Sequence, residues 1–344
     1  MQVKTFSVYL LVTGIWIYFT FLFGWLGIYL LTGDRIGPVS LMNLLAVYWF
    51  LPLPLIILAN LFLRRRVIWV AVLLSAVVFL GLWGELFIPA SSRSSNHPAN
   101  PGYLTVMTFN ALGRQNNTPP QIEMLRDENA DVVLIQELSQ ELAEAIQSQL
   151  VDRYPYQILE PGSDVEGMGI LSKYPLREGD FRLPLSWTGT PQVAVLAWHG
   201  HPVTLINFHM NPTTLRTAAR VVIDNQRREA QASALVEAVE REGSVIAAGD
   251  ANATPLNTSY QILTRRLVDS WKEAGFGLGH TFPGSDVPGS SRPDIWGVPV
   301  PMWLARIDYV FHTPDWQAES ARMARYDGAS DHRGVIARLK RVQN

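Results

Sequence analysis

The 344-residue chain has no cysteine. That rules out a disulfide framework and zinc–thiolate sites, and an absence of thiols fits either side of a membrane. There is no HExxH pattern, the other common signature of zinc. Charge is also scarce: 17% of residues are charged and 48% are hydrophobic, a lean balance for a soluble enzyme. The shortage is local. No charged side chain occurs in Thr5–Gly33, Ile36–Leu63 or Val67–Gly84.

Each charge-free run is long enough to cross a hydrocarbon core, which takes roughly 20 helical residues. Tyr9, Trp16, Tyr29 and Trp83 stand near the run ends, as interfacial aromatics do. The first run is too long for the apolar segment of a signal peptide, and no small-x-small cleavage site follows it. Pro52 and Pro54 are expected to kink or break the second helix. Asn43 and Asn60 are read as lying near the interface rather than joining helices. Arg64, Arg65 and Arg66 separate the second and third runs. By the positive-inside rule they lie in the cytoplasm with the N terminus. The expectation is an integral protein of a bacterial cell membrane with three transmembrane helices, about 6–32, 37–63 and 67–88. Everything after about residue 90 is then extracytoplasmic.

Residues 1–90 carry five Lys and Arg and two acids, which leaves 23 basic against 28 acidic groups beyond them, a net of −5. That is a poor footprint for non-specific nucleic-acid binding. Residues 91–102, SSRSSNHPANPG, read as a linker. Residues 103–344 form the remaining domain, with no fixed-period repeat. Strands are expected at Tyr103–Asn110, Asp131–Glu137, Gly167–Lys173, Gln192–Trp198, Val203–His209, Ser244–Asp250, Arg306–His312 and Gly334–Lys340, and helices near 120–129, 139–149 and 214–241.

Several of these strands end on a residue that handles metals or phosphates: Asn110, Glu137, His209 and Asp250. Taken singly, each reads first as a turn former or solvated cap. Glu137 closes a deeply apolar run, where an unpaired carboxylate is costly. Asp308 interrupts another apolar run, and His332 is its natural partner, a carboxylate holding an imidazole in its protonated form. Arg227-Arg228 and Arg265-Arg266 read as solvated helix faces. The glycine-rich stretch 275–294 reads as a loop that shapes a pocket.

The ordered set MTFN, IQE, NFH, GDANATP, RIDYVF and SDH resembles the endonuclease/exonuclease/phosphatase superfamily across about residues 103–340. That superfamily includes pancreatic deoxyribonuclease, apurinic endonucleases, inositol-polyphosphate 5-phosphatases and neutral sphingomyelinases. The resemblance implies an α/β four-layer sandwich, two packed mixed β-sheets with helices outside, following the membrane helices. It implies a phosphatase or phosphodiesterase that uses Mg²⁺, or Mn²⁺, held by Glu137 with Asn110 and Asp331 nearby. In it Asp250 would orient or deprotonate the attacking water, and Asn252 and His209 would hold phosphate oxygens. His332 would stabilise transition-state charge with Asp308 behind it. Leu112 stands where some members have an acid, which weakens a second metal.

The expected substrate is a lipid phosphate or polyprenyl pyrophosphate in the bilayer, since the spans hold the site beside lipid. Bacterial membrane proteins of the superfamily linked with glycopeptide resistance resemble this layout. A membrane-anchored nuclease ranks second and a non-catalytic scaffold third. No protein partner is inferred.

Overall fold

The computed structural model describes residues 2–88, 102–115, 117–214, 216–284, 294–295, 297–299 and 304–342. The linker, apart from Gly102, and residues 285–293 of the glycine-rich stretch lie outside them. The chain divides into two compact units. One is Met1–Glu85 with Leu215–Val222, and the other is Leu86–Thr214 with Ile223–Asn344.

The first unit is built on α1 (Gln2–Thr32), α2 (Gly37–Leu44), α3 (Leu53–Leu63) and α4 (Arg66–Trp83). Pro52 and Pro54 break the second apolar run, as their missing donors require: a 3-10 stretch, Ala46–Phe50, separates α2 from α3. Three segments, Phe6–Thr32, Ala46–Leu63 and Arg66–Phe87, are long and apolar enough to span a membrane. Large apolar side chains such as Ile17, Leu31, Phe62 and Leu73 point outward, as they would in lipid. Asn43 departs from its interfacial reading. It is buried, and its Oδ1 accepts a hydrogen bond from Trp25 Nε1 at 3.0 Å, tying α1 to α2. Asn60 closes the α3–α4 turn through two 3.1 Å bonds to the Arg65 backbone.

In the second unit the chain runs through β1 (Tyr103–Asn110), α5 (Pro119–Glu128), β2 (Val132–Gln136), α6 (Gln140–Gln149), β3 (Tyr156–Glu160), β4 (Met168–Ser172) and β5 (Leu176–Glu178). It continues through β6 (Gly189–Trp198), β7 (His201–His209), α7 (Ala218–Arg241, of which the part from Ile223 belongs to this unit), β8 (Val245–Asp250), α8 (Thr258–Leu263), β9 (Val268–Asp269) and α9 (Ser270–Ala274). A short hairpin, β10 (Asp294–Ile295) with β11 (Val298–Pro299), precedes β12 (Asp308–His312), β13 (Trp316–Met323) and β14 (Val335–Arg341).

Two six-stranded mixed sheets result, ordered β13-β14-β1-β2-β4-β3 and β5-β6-β7-β8-β12-β9. Among the described residues of these sheets only β1–β2 and β7–β8 pair in parallel; the other ladders are antiparallel. Side-chain alternation decides which residues meet helices and which meet the other sheet. Met107, Phe109, Val133 and Ile135 pack with Ile122, Leu125, Leu142 and Ile146 of α5 and α6. Ile206, Phe208, Ala247 and Phe311 pack with Ala232, Leu235 and Val239 of α7. Truncating a side chain buried like Leu235 costs about 2–5 kcal/mol.

The alternate positions face between the sheets, and several are polar. Gln136 Nε2 donates to Asn207 Oδ1 at 2.7 Å, and Asn207 Nδ2 donates to the Ile135 and Gly169 carbonyls at 2.9 and 3.0 Å. Thr108 Oγ1 donates to Gln136 Oε1 at 3.2 Å. Thr108, Gln136 and Asn207 are fully buried. They form a satisfied polar bridge between the sheets, one strand step below Asn110 and His209.

Candidate active site

Strand register gathers the polar ends. His209 lies opposite Asp250 in the parallel β7–β8 pair, and Asp308 lies opposite Asp250 in the antiparallel β8–β12 pair. Three neighbouring strands thus present His209, Asp250 and Asp308 in a row. In the facing sheet Asn110 pairs with Gln136. Strand alternation would send the next residue, Glu137, toward the helices, but its φ of 53° turns the chain left-handed. Its carboxylate therefore meets Asn110 between the sheets. Ser139 then caps α6, its Oγ accepting from Leu142 N at 3.1 Å, and fixes the exit.

Asn110 bridges the sheets. Its Nδ2 donates to Glu137 Oε1 at 3.1 Å and to Asp250 Oδ2 at 3.2 Å, while its Oδ1 accepts from Leu112 N at 3.1 Å. The amide nitrogen orients two carboxylates, and its oxygen is engaged by backbone. Through these bonds Asn110 supports two acids, Glu137 and Asp250. Gly113 N donates to Glu137 Oε2 at 3.3 Å. Asp250 accepts from Asn252 N at 2.7 Å and from Asn252 Nδ2 at 3.2 Å; Asn252 Nδ2 also reaches the Met210 carbonyl at 3.0 Å. His209 Nε2 lies 3.6 Å from Asp250 Oδ2 and 3.9 Å from Glu137 Oε1.

His332 completes the group. Its Nδ1 is 2.9 Å from Asp308 Oδ2, and its Nε2 is 3.9 Å from Asp250 Oδ2 and 4.0 Å from Asp331 Oδ1. All eight residues singled out in the sequence meet at this one end of the sandwich. Others were not singled out. Ser330 Oγ donates to the Asn110 carbonyl at 2.7 Å and accepts from His332 N at 3.0 Å, stitching the last loop to β1. Thr281 Oγ1 accepts from Ile307 N and Asp308 N at 3.2 and 3.3 Å. The Phe282 ring lies against His332, centroids 4.9 Å apart. Only the position of Ser330, beside Asp331 and His332, hinted at its part.

Arg228 overturns the solvated-face reading. It is almost fully buried; Nη1 donates to the Asn211 carbonyl at 2.8 Å and Nη2 to Asn225 Oδ1. It braces the chain just past His209, where an unsatisfied carbonyl would be costly. Arg227 and Arg266 stay exposed, paired with Asp224 and Glu240.

Burial sets the electrostatics. It raises the Glu137 and Asp331 carboxyls and, with the Asp308 charge beside it, lifts Asp250 to about 8. Burial and the nearby His332 charge lower His209 to about 3, so His209 is neutral. Burial alone would lower His332 too, but Asp308, Asp250 and Asp331 outweigh it and hold the imidazole well above its ordinary value. Asp308 Oδ1 is buried with no hydrogen-bond partner among the described residues. So many desolvated carboxylates at one point repel one another, and a divalent cation relieves that. The donors are hard oxygens, so the residues fit such an ion. Asp250, Asp308 and His332 place ligand atoms within 4.8 Å of one another. A protonated imidazole has no free lone pair, however, which makes the carboxylates the better holders.

Two mixed sheets packed face to face, with an acidic cluster and two histidines at one end, define a metal-dependent hydrolase acting on phosphoester bonds. A profile of the endonuclease/exonuclease/phosphatase family matches residues 107–332, and the chain belongs to that family. Its fold is similar to the endonuclease/exonuclease/phosphatase from Beutenbergia cavernae DSM 12333, at 21% identity over 70% of this chain and 72% of that one, TM-score 0.52. It is also similar to D. rerio TDP2 complexed with single strand DNA product, at 17% identity over 69% and 99%, TM-score 0.52. A third likeness is the endonuclease/exonuclease/phosphatase from Bacteroides vulgatus, at 16% identity over 70% and 99%, TM-score 0.51. No curated protein matches the chain.

Proposed function

We propose that the protein is a membrane-anchored, Mg²⁺-dependent phosphoesterase that hydrolyses a phosphoester or pyrophosphate bond of a lipid-linked substrate at the outer membrane face. The observation that carries the reading is the pairing of a buried acidic cluster with a charge-supported imidazole at the end of the sandwich. The three apolar segments supply the lipid side of the argument.

Glu137 and Asp331 would hold Mg²⁺, or Mn²⁺, with Asn110 fixing the Glu137 carboxylate. When bound, the ion would neutralise charge on the equatorial phosphoryl oxygens. Asp250, held by Asn110 and Asn252, would orient or deprotonate the in-line water. Neutral His209 and the Asn252 amide would hold phosphoryl oxygens. Protonated His332, steadied by Asp308, would stabilise charge as it develops. The net of −5 beyond residue 90 argues against nucleic acid as the main substrate.

The test is a substrate panel on purified full-length protein with Mg²⁺: polyprenyl pyrophosphate, sphingomyelin, a generic monoester and diester, and plasmid DNA. Lipid-linked hydrolysis exceeding DNA cleavage is the expected result. DNA cleavage alone would replace the lipid reading with the nuclease one.

A further inference from the structure

The mouth of the site has a feature the reaction as described does not use. Loop residues 111–115 follow β1, and loop residues 161–167 lie between β3 and β4. The two loops approach closely at Gly113 and Asp164. A Cβ on Gly113 would come 2.1 Å from the Asp164 carbonyl oxygen and 2.9 Å from that of Glu137, so only glycine fits there. Leu138 N donates to the Gly167 carbonyl at 3.0 Å, and Gly162 N to the Leu138 carbonyl at 2.9 Å, which fixes the second loop to the turn after β2. Arg114 lies one residue from the Gly113 amide that bonds Glu137.

The Arg114 guanidinium pairs with Asp164: Nε meets Oδ1, and Nη2 lies 3.4 Å from Oδ2. The side chains are 66% and 47% exposed. A pair so exposed is weakly held and exchanges readily. The charge of Arg114 also reaches Glu137 and Asp331. Those two groups would hold one divalent cation, and Arg114 adds a second positive charge beside them. A further phosphoryl group, next to the one under attack, would be met by that guanidinium, whose fork matches a phosphate edge in two bonds.

We propose that Arg114 is a specificity-determining residue that leaves Asp164 to bind a second phosphoryl group, so that the preferred substrate carries two linked phosphates. This rests on the phosphoesterase reading above and narrows it to pyrophosphate-bearing substrates.

The test compares binding of methylenediphosphonate and methylphosphonate to full-length protein in lipid nanodiscs by calorimetry, with Mg²⁺ in excess of either probe. Wild type favours the diphosphonate by about tenfold or more. In Arg114→Ala that ratio collapses toward one. Arg114→Lys, which keeps a point charge but loses the fork, falls between. Asp164→Asn, which frees the guanidinium, keeps or raises the ratio. Arg266→Ala, an exposed arginine paired with Glu240, keeps it and controls for net charge. An unaltered ratio in Arg114→Ala, or no preference in wild type, overturns the proposal. Hydrolysis is read separately. If wild type cleaves no phosphoester while the ratio behaves as described, the phosphoesterase reading fails and the clamp stands.

Discussion

His332 Nδ1 lies 2.9 Å from Asp308 Oδ2, and both side chains are buried. A carboxylate at that distance favours the charged imidazole and fixes its ring. The two groups therefore act as a unit, and effects within a unit are strongly non-additive. Asp308→Ala or His332→Ala alone should lower kcat by about 100-fold or more. The double variant should be little worse than His332→Ala. A double variant showing the product of the two single losses would separate the residues. So would near-wild-type turnover in a folded Asp308→Ala.

The same pair predicts a pH dependence. His332 is raised in the folded state, so its contribution to stability is fully present below about pH 6.5, the unfolded value. It is lost as pH rises through the raised folded value. Asp308→Asn removes most of the raising charge. Its melting temperature should fall short of wild type most at acid and neutral pH, and the gap should close at alkaline pH. The alkaline limb of kcat should shift to lower pH in the same variant. A constant melting deficit at every pH would make the role of Asp308 one of packing alone.

Divalent cations should stabilise the protein through Glu137. Burial opposes the charge of Glu137, Asp250 and Asp331, so a bound cation offsets that cost and raises Tm by linkage. Wild type should melt at a higher temperature in Mg²⁺ than in chelator. Glu137→Gln should lose most of that increment while melting at least as high as wild type in chelator. An equal Mg²⁺ increment in both proteins would move the ion away from Glu137.

The inter-sheet bridge predicts a stability effect of another kind. Asn207→Ala removes the 2.7 Å acceptor of Gln136 Nε2, which keeps only the Leu134 carbonyl, and the donor to the Ile135 and Gly169 carbonyls, all in a buried layer. The cost should be about 2–4 kcal/mol in denaturant titration, the scale of stranded buried polar groups. A loss below about 0.5 kcal/mol, the size of an ordinary surface change, would mean that water repairs the layer.

Much of the catalytic unit was legible because its central strands are apolar runs that stop on polar residues. β1, β2, β4, β7, β8, β12 and β14 fall within a few residues of their sequence-based positions. The strands that escaped notice are edges or scraps. β13 reads WQAESARM and β3 reads YQILE; both are partly exposed edge strands, so neither has an apolar run to announce it. α9 is five residues long and carries no periodicity. In the site, the carboxylates, imidazoles and amides were readable, while Gly113 acts through its backbone amide and Thr281 and Ser330 through hydroxyls bonded to backbone, which no pattern announces. Arg228 and Asn43 misled because each is polar yet buried on specific partners that periodicity does not reveal.

Topology is open to a reporter. Alkaline phosphatase fused after Asn344 should be active if the Arg64–Arg66 loop is cytoplasmic and three spans precede the catalytic unit. A cytoplasm-restricted fluorescent reporter that glows at the same position would reverse the orientation and remove the outer-face substrate.

The most direct measurement is the Mg²⁺-dependent turnover of a pyrophosphate-bearing lipid by wild type, Glu137→Ala and His332→Ala, each shown to be folded by its melting curve. The account predicts turnover in wild type that chelator abolishes and Mg²⁺ restores, with losses of at least about 100-fold in both variants. Full turnover in Glu137→Ala, or in excess chelator, would contradict it.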